Sequence, residues 1–327
     1  MSKKGCLVIS LDYELMWGCC EWSVPQEYGM SNIVNVPKVI DRMLDLFQRY
    51  DVKATFAIVG MIMHKDKKEL LENIPQKLPS YENPRCSPYN NHYIENIQDE
   101  YIDMYFAPET VKKLNKYPNV EIATHTFCHY YCWEKGQTIE QFEDDLINAI
   151  KIANNVGIRF SSIVFPKNMV SDEYLRICKR HGINNYRGNA LKFFNEPKSR
   201  FESIKNKACR LLDAYLNIGG YTSIPYSQIN KNSGVLNVAA SRMLRPYSPK
   251  LSIFEELRLS RIKKEMEYAA RNGEIYHLWW HPHNFGANMA QNLIFLEKIL
   301  KCYQSCSKCY GMLSCSMSEV EKIINKK

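Results

Sequence analysis

The chain has 327 residues, of which 45% are hydrophobic and 24% charged, with a formal net charge of +8. That length accommodates one large α/β domain or two smaller ones, and the apolar share suits a globular protein with a substantial core. The apolar runs are short and interrupted, which argues against a membrane-spanning helix. No Lys/Arg block, zinc-finger spacing or RNA-binding motif marks a nucleic-acid binder, although the charge permits an anionic substrate.

Taken in chain order, apolar runs predict strands at 6–12, 53–59, 120–124, 161–165, 183–186, 234–239, 274–279 and 312–316. Amphipathic helices fill the gaps. The first, over 36–50, carries Pro37 in its first turn and Val39, Ile40, Met43, Leu44 and Phe47 at helical spacing. The helix over 138–154 opens on the capping pair Thr138 and Gln141 and buries Ile139, Phe142, Leu146, Ala149 and Ile150. Helices at 171–182 and 251–271 follow, and the last opens on a second capping pair, Ser318 and Glu321.

Such β-α alternation implies parallel strands with right-handed crossovers, and about eight units favour a deformed, TIM-like (β/α) barrel of seven to eight parallel strands over an open sheet. Residues 1–327 are read as one domain. Two excursions, at about 62–110 and 188–233, are too long for simple connections and are expected to cover the site or carry helices of their own. The apolar stretch after Lys3 and Lys4 stops at Asp12, too short and strand-like for a secretory leader, so a cytoplasmic location is expected.

Polar residues collect where the predicted strands end. Asp12 and Glu14 close the first strand, His125 and His129 follow the third, and Pro166-Lys167-Asn168 follow the fourth. Arg187 follows the fifth, Arg242 and Arg245 the sixth, and His281 and His283 the seventh. In a parallel barrel all these ends share one face, the face where active sites are built. Asp12 and Glu14, two apart on a strand, point the same way, so one can bind a metal while the other takes a proton. His125 and His129 supply two imidazoles for a divalent ion: zinc first, with cobalt, nickel, iron or manganese as alternatives. One of His281 and His283 can protonate a leaving amine. Of Trp279 and Trp280, one should face the core and the other a sugar ring at the rim. Asn168, Arg187, Arg242 and Arg245 are candidates to hold an acidic substrate group or to orient Asp12.

Twelve cysteines are scattered without a disulfide framework. The run Cys302, Cys306, Cys309 has the spacing of an iron–sulfur motif but falls on a predicted helix, where ordinary helix cysteines are the simpler reading.

These residues resemble the polysaccharide deacetylases, carbohydrate esterase family 4, which include chitooligosaccharide deacetylases. The resemblance runs over about 5–186 and 234–325. It rests on the order Asp12 to Glu14, Lys53 to Gly60, and His125-Thr126-Phe127-Cys128-His129. The stretches Val164 to Asn168, Tyr186 to Asn189 and His277 to Asn284 resemble a subgroup tied to surface-polysaccharide biosynthesis. The resemblance implies metal-dependent hydrolysis of an N-acetyl or O-acetyl group. Asp12 matches the catalytic base, His125 and His129 the metal ligands, and His281 the late acid. Tyr13 stands where the family has a second aspartate, so Glu14 is the substitute ligand. The arginine-proline motif is replaced by Pro166-Lys167-Asn168. The expected substrate-binding set is Asn168, Arg187, Arg245, Trp280 and His283. The expected substrate is an acetylated amino sugar on a nucleotide- or lipid-linked precursor. Two alternatives stand beside it: a metal amidase acting on a ureide, a formamide or a lipid-linked amino sugar, and a degenerate barrel that binds glycan without hydrolysing it.

Overall fold

The computed structural model describes residues 3–189 and 204–325. Its strands are β1 (Cys6–Tyr13), β2 (Ala54–Ile58), β3 (Val120–Thr124), β4 (Ser162–Ile163), β5 (Asn185–Tyr186), β6 (Ile224–Pro225), β7 (Lys231–Asn232), β8 (Val235–Asn237), β9 (Arg242–Met243), β10 (Glu274–Trp280) and β11 (Leu313–Cys315). The α-helices are α1 (Val36–Arg49), α2 (Lys67–Leu71), α3 (Pro108–Asn115), α4 (Ile139–Asn155), α5 (Asp172–Arg180), α6 (Ile204–Asp213), α7 (Glu255–Asn272), α8 (Met289–Tyr310) and α9 (Met317–Asn325). All eight strands expected from the sequence are present, five of them shorter than expected.

The sheet runs β6-β10-β1-β2-β3-β4-β5-β8-β7, with β11 on β1 and β9 on β10 off that path. It is a curled, open half-barrel of mixed direction rather than a closed barrel of seven to eight parallel strands. The excursion at 188–233 is the reason: it returns as β6 and β7, two-residue strands that pair antiparallel with β10 and β8 at the two ends of the path. The backbone from 236 to 244 nevertheless spans the gap. Val238 and Ala240 donate to Tyr186 and Gly188 on the β5 side, then Ser241 and Leu244 donate to His277 and Trp279 on β10. Residues 190–203 of the excursion lie outside the described residues.

Alternation along the strands sorts side chains into two layers. On β1, Leu7, Ile9, Leu11 and Tyr13 point outward into the main core under the helices, where α1 buries Val39, Ile40, Met43, Leu44 and Phe47. Cys6 and Val8 point inward and meet Ala57, Ala123, Val164, Leu236, Val238, Ile275 and Cys315, with Met317 and Val320 of α9 in the same cluster. Towards the strand exits the inward residues become polar: Ser10, Asp12 and, one step past the strand, Glu14, all buried. The Thr138–Gln141 capping box forms as expected. The last helix does not use Ser318 and Glu321; its cap is two residues earlier, where the Ser316 N–H donates to Glu319 (3.1 Å).

The excursion at 62–110 packs against the turn that follows Glu14. Trp17 donates its indole N–H to the Tyr105 carbonyl (2.7 Å) and sits edge-on to Tyr93, Tyr105 and Phe106. Among the described residues, no helix is long and apolar enough to cross a membrane.

Candidate metal centre

Glu14, His125 and His129 converge at the strand exits. The Glu14 carboxylate Oε2 lies 3.3 Å from His125 Nε2 and 3.1 Å from His129 Nε2, and all three side chains are buried. His125 Nδ1 is 2.8 Å from the Val164 carbonyl. A carbonyl only accepts, so Nδ1 carries the proton and Nε2 presents a lone pair to the carboxylate. A neutral imidazole and a carboxylate facing each other at that distance suit a cation between them. The donor set of two neutral imidazoles and one carboxylate fits a divalent ion such as zinc, and the backbone carbonyl behind His125 fixes its tautomer as metal-binding histidines require. Glu14 occupies the ligand position two residues after Asp12, while Tyr13 points into the outer core.

Burial pushes the Glu14 carboxyl upward, but the imidazoles of His281, His125 and His129 around it outweigh burial and hold it well below the ordinary carboxylate range. Burial in turn depresses His129, which keeps the imidazole neutral and able to bind a metal.

The loop that carries the two histidines is strained and then held. Thr126 (φ 66°) and His129 (φ 61°) both adopt left-handed backbone conformations. For a β-branched threonine that is costly. The Thr126 hydroxyl donates to the His125 carbonyl (2.6 Å) and accepts the Tyr130 N–H (2.7 Å). Asp145 of α4, fully buried, accepts the N–H groups of Phe127 (2.7 Å) and Cys128 (3.0 Å). Burial still raises the Asp145 pKa, to about 6. Gly60 lets the loop lie against the exit of β2, since a Cβ there would stand 2.6 Å from the Phe127 ring. At Gly18 a Cβ would collide with the Glu14 carboxylate itself. Sequence reading did not find Asp145; the available signal was an acid on the apolar face of a helix between Phe142 and Leu146.

Asp12 is gripped by Arg187. The guanidinium donates to both Asp12 oxygens at 2.7 Å, to Ser10 Oγ (3.1 Å), and through Nε and Nη2 to Asn168 Oδ1 (3.1 and 3.0 Å). All five of its N–H groups are thereby used. Burial raises the Asp12 pKa, Arg187 and His125 lower it more, and the net effect is a carboxyl below its ordinary value. Ser10 in turn bonds His277 Nε2 (2.8 Å), whose Nδ1 faces the carbonyls of Val238 and Ala239. Burial drives the pKa of His277 down to about 3. The chain from Arg187 through Ser10 to His277 therefore holds Asp12 ionised and fixed.

His281 Nε2 lies 3.7 Å from Asp12 Oδ2 and 3.6 Å from Glu14 Oε1, with its side chain 21% exposed. His283, buried beside it, has its pKa pushed down to about 3 by burial and by His281.

The expected substrate-binding set needs correction. Arg187 is turned to Asp12 and Asn168 Oδ1 to Arg187, with no guanidinium donor left for a ligand. Trp280 is fully buried in the outer core, stacked on Phe285 and edge-on to Phe47. Alternation on β10 puts His277 and Trp279 inside and Trp280 outside. Trp279, half-buried, is the tryptophan at the site, lying under Arg187 (4.2 Å) and against His281. Arg245 does not face Asp12: its carbonyl accepts from Arg258, and burial together with Arg210, Arg258 and Arg242 holds its pKa below the ordinary arginine value. Arg242 pairs with Asp213 (2.9 Å) and Glu265 (3.2 Å). His283 sits beside Glu14 rather than on an open rim. Sequence reading also missed Trp22, 60% exposed, which meets Tyr28, itself edge-on to His283.

Cys302, Cys306 and Cys309 lie along α8; Cys302 and Cys306 contact each other, but the three do not form one of the groups spaced to hold a cation among the described residues. Among the described residues, the groups spaced to hold a cation are Glu14/His125/His129, Glu14/His281/His283 and Glu21/Cys86/Glu134.

A family model described as polysaccharide deacetylase matches residues 28–186, just under half of the chain, including His125 and His129 but not Asp12, Glu14 or His281. No curated protein sequence matches the chain. A solved structure assigned as a polysaccharide deacetylase from Mycobacterium smegmatis is similar, with TM-score 0.56, 11% identity, and 99% of this chain covering 91% of that one. A second, from Pseudomonas aeruginosa PAO1, has TM-score 0.55 and 13% identity over 98% of this chain and 91% of that one. PuuE allantoinase has TM-score 0.52 and 12% identity over 97% and 89%. At these identities the likeness is one of fold. The chain is thus similar to polysaccharide deacetylases over 28–186 in sequence and shares the fold of the solved ones. The candidate metal centre is consistent with a metal-dependent hydrolase that cleaves the carbon–nitrogen bond of an acetyl amide.

Proposed function

We propose that this protein removes an acetyl group from the nitrogen of an amino sugar in a polysaccharide precursor, with one zinc ion held by Glu14, His125 and His129. The observation that carries the reading is the His125 lone pair aimed at the Glu14 carboxylate, 3.3 Å away. A divalent ion bound there supplies Lewis-acid polarisation of a carbonyl and lowers the pKa of bound water towards about 7. Asp12, kept ionised by Arg187, accepts the proton of the attacking water. His281, within 4 Å of both carboxylates, delivers a proton to the leaving nitrogen. Ser10, His277 and Asn168 position Arg187 and, through it, Asp12.

Trp279 and the exposed Trp22 offer aromatic surface beside the centre, which suits the apolar face of a sugar ring. All twelve cysteines are free thiols, which supports a reducing, cytoplasmic setting and therefore a nucleotide- or lipid-linked substrate rather than a finished wall polymer. The stretches at 164–168, 186–189 and 277–284 favour a place in surface-polysaccharide biosynthesis. The test is acetate release by metal-replete protein from a panel of acetylated sugar nucleotides and lipid-linked glycans, with a ureide and a formamide as controls. Release from an acetylated amino sugar supports the reading. Turnover of the controls alone replaces it with a different amidase, and tight sugar binding without turnover replaces it with a binding protein.

A further inference from the structure

The four imidazoles near Glu14 divide between its two oxygens. Oε2 faces His125 and His129, and Oε1 faces His281 at 3.6 Å and His283 at 3.9 Å. We propose that Glu14 Oε1, His281 Nε2 and His283 Nε2 form a second divalent-cation site, with Glu14 bridging the two ions. The inference takes Glu14, His125 and His129 as the first site and goes beyond the proposed single-ion reaction.

Three observations support it. The ligand atoms of this second group lie within 4.8 Å of one another, as those of the first do. The rings of His281 and His283 are parallel, 14° apart with centroids at 4.9 Å, so both Nε2 atoms serve the same side. Pro282 lies between them and limits the freedom of that turn. A tetrahedral ion with bonds near 2.1 Å spaces its ligands roughly 3.4 Å apart. The first set already has that spacing, and the second is wider, so the second ion binds more weakly. It also binds where the protein is more open, because His281 is the most exposed of the four histidines.

A hydrogen-bond arrangement behind His281 accommodates the change. Its Nδ1 lies 3.2 Å from Asn284 Nδ2, while Asn284 Oδ1 accepts from the Tyr28 hydroxyl (3.1 Å). In that arrangement Nδ1 is the acceptor and Nε2 carries the proton. Metal binding at Nε2 needs the other tautomer. Turning the Asn284 amide by half a rotation presents its oxygen to Nδ1–H and its nitrogen to the Tyr28 oxygen, so both hydrogen bonds persist. His281 thus has two states: a proton donor while the second position is free, and a ligand with no Nε2 proton to give once it is filled. The second ion therefore inhibits.

The experiment is titration of metal-stripped, full-length protein with cobalt(II), followed by equilibrium dialysis and elemental analysis, with thermal unfolding to confirm that each variant is folded. The wild type is expected to bind two ions per chain in two steps, His281→Gln and His283→Gln one tight ion each, and Glu14→Gln neither. Wild-type protein that saturates at one ion overturns the proposal, as do two folded histidine variants that still bind two. Wherever acetate release is measured, it is expected to fall as the second equivalent binds; a rate that holds or rises overturns the withdrawal of His281. A failure to find any substrate touches only the proposed reaction, because the stoichiometry is read without one.

Discussion

The two ends of the half-barrel each hold a glutamate, and the two are treated in opposite ways. Glu121, half-buried at the entry end, accepts hydrogen bonds from Thr55 Oγ1 (2.9 Å), Ser162 Oγ (2.6 Å) and the Ser318 N–H (3.0 Å). Its charge is met by neutral donors from three segments, and it fastens α9 to β2, β3 and β4. Glu14, buried at the exit end, is surrounded instead by four imidazoles. An acid surrounded by donors is a structural fastening. An acid faced by imidazoles able to present lone pairs, as His125 does, is half of a cation site.

Removing each charge is the sharpest way to break that comparison. Glu14→Gln is expected to lower metal affinity by more than about 100-fold and to abolish turnover, with the fold retained. Glu121→Gln should leave metal content and rate unchanged and lower stability by about 1–3 kcal/mol, read by urea unfolding. Equal metal loss in both variants contradicts the distinction.

Arg187 comes next, because it satisfies a buried acid of the Glu121 kind at the Glu14 end. Arg187→Met strands Asp12, so a loss of roughly 3–5 kcal/mol is expected, together with a rate fall of about 10²–10⁴-fold. Adding Asp12→Asn should restore part of the stability and none of the rate. The ion pair also sets a pH dependence. The folded pKa of Asp12 lies below its ordinary value of 3.8, so its contribution is complete above that value and is lost as pH falls through the depressed one. The stability gap between wild type and Asp12→Asn should be wide at neutral pH and should begin to narrow only as pH falls below 3.8.

Asp145→Asn tests the support of the histidine loop. It keeps the side-chain volume but weakens acceptance from Phe127 and Cys128, and metal affinity should drop about 10–100-fold in titration. The smallest change is Gly18→Ala. Its added methyl presses on the Glu14 carboxylate, and metal affinity should fall while Glu121 and the entry end keep their stability.

Much of the metal centre was legible in the chain. Two acids at i and i+2 on a strand must share a face, and His125 and His129 follow another strand of the same sheet. The same parity applied to β10 puts Trp279 inside once His277 is inside, so the choice of Trp280 passed over a signal that was present. The role of Arg187 was harder to read. It follows a two-residue strand, too short to show a period, and its partner Asp12 is 175 positions away. Nothing local distinguishes it from Arg242, which ends in a structural ion network with Asp213 and Glu265. The open, mixed sheet was hidden for the same reason, since β6 and β7 have two residues each and leave no apolar pattern. Asp145 required knowing which loop passes the end of α4.

The central claim is that Glu14, His125 and His129 bind one ion, and X-ray absorption of the protein loaded with a single equivalent of zinc tests it most directly. The expected spectrum has a nitrogen and oxygen shell with the outer scattering of two imidazoles, reduced to one imidazole in His129→Ala. An oxygen-only shell, or one containing sulfur, would contradict the account.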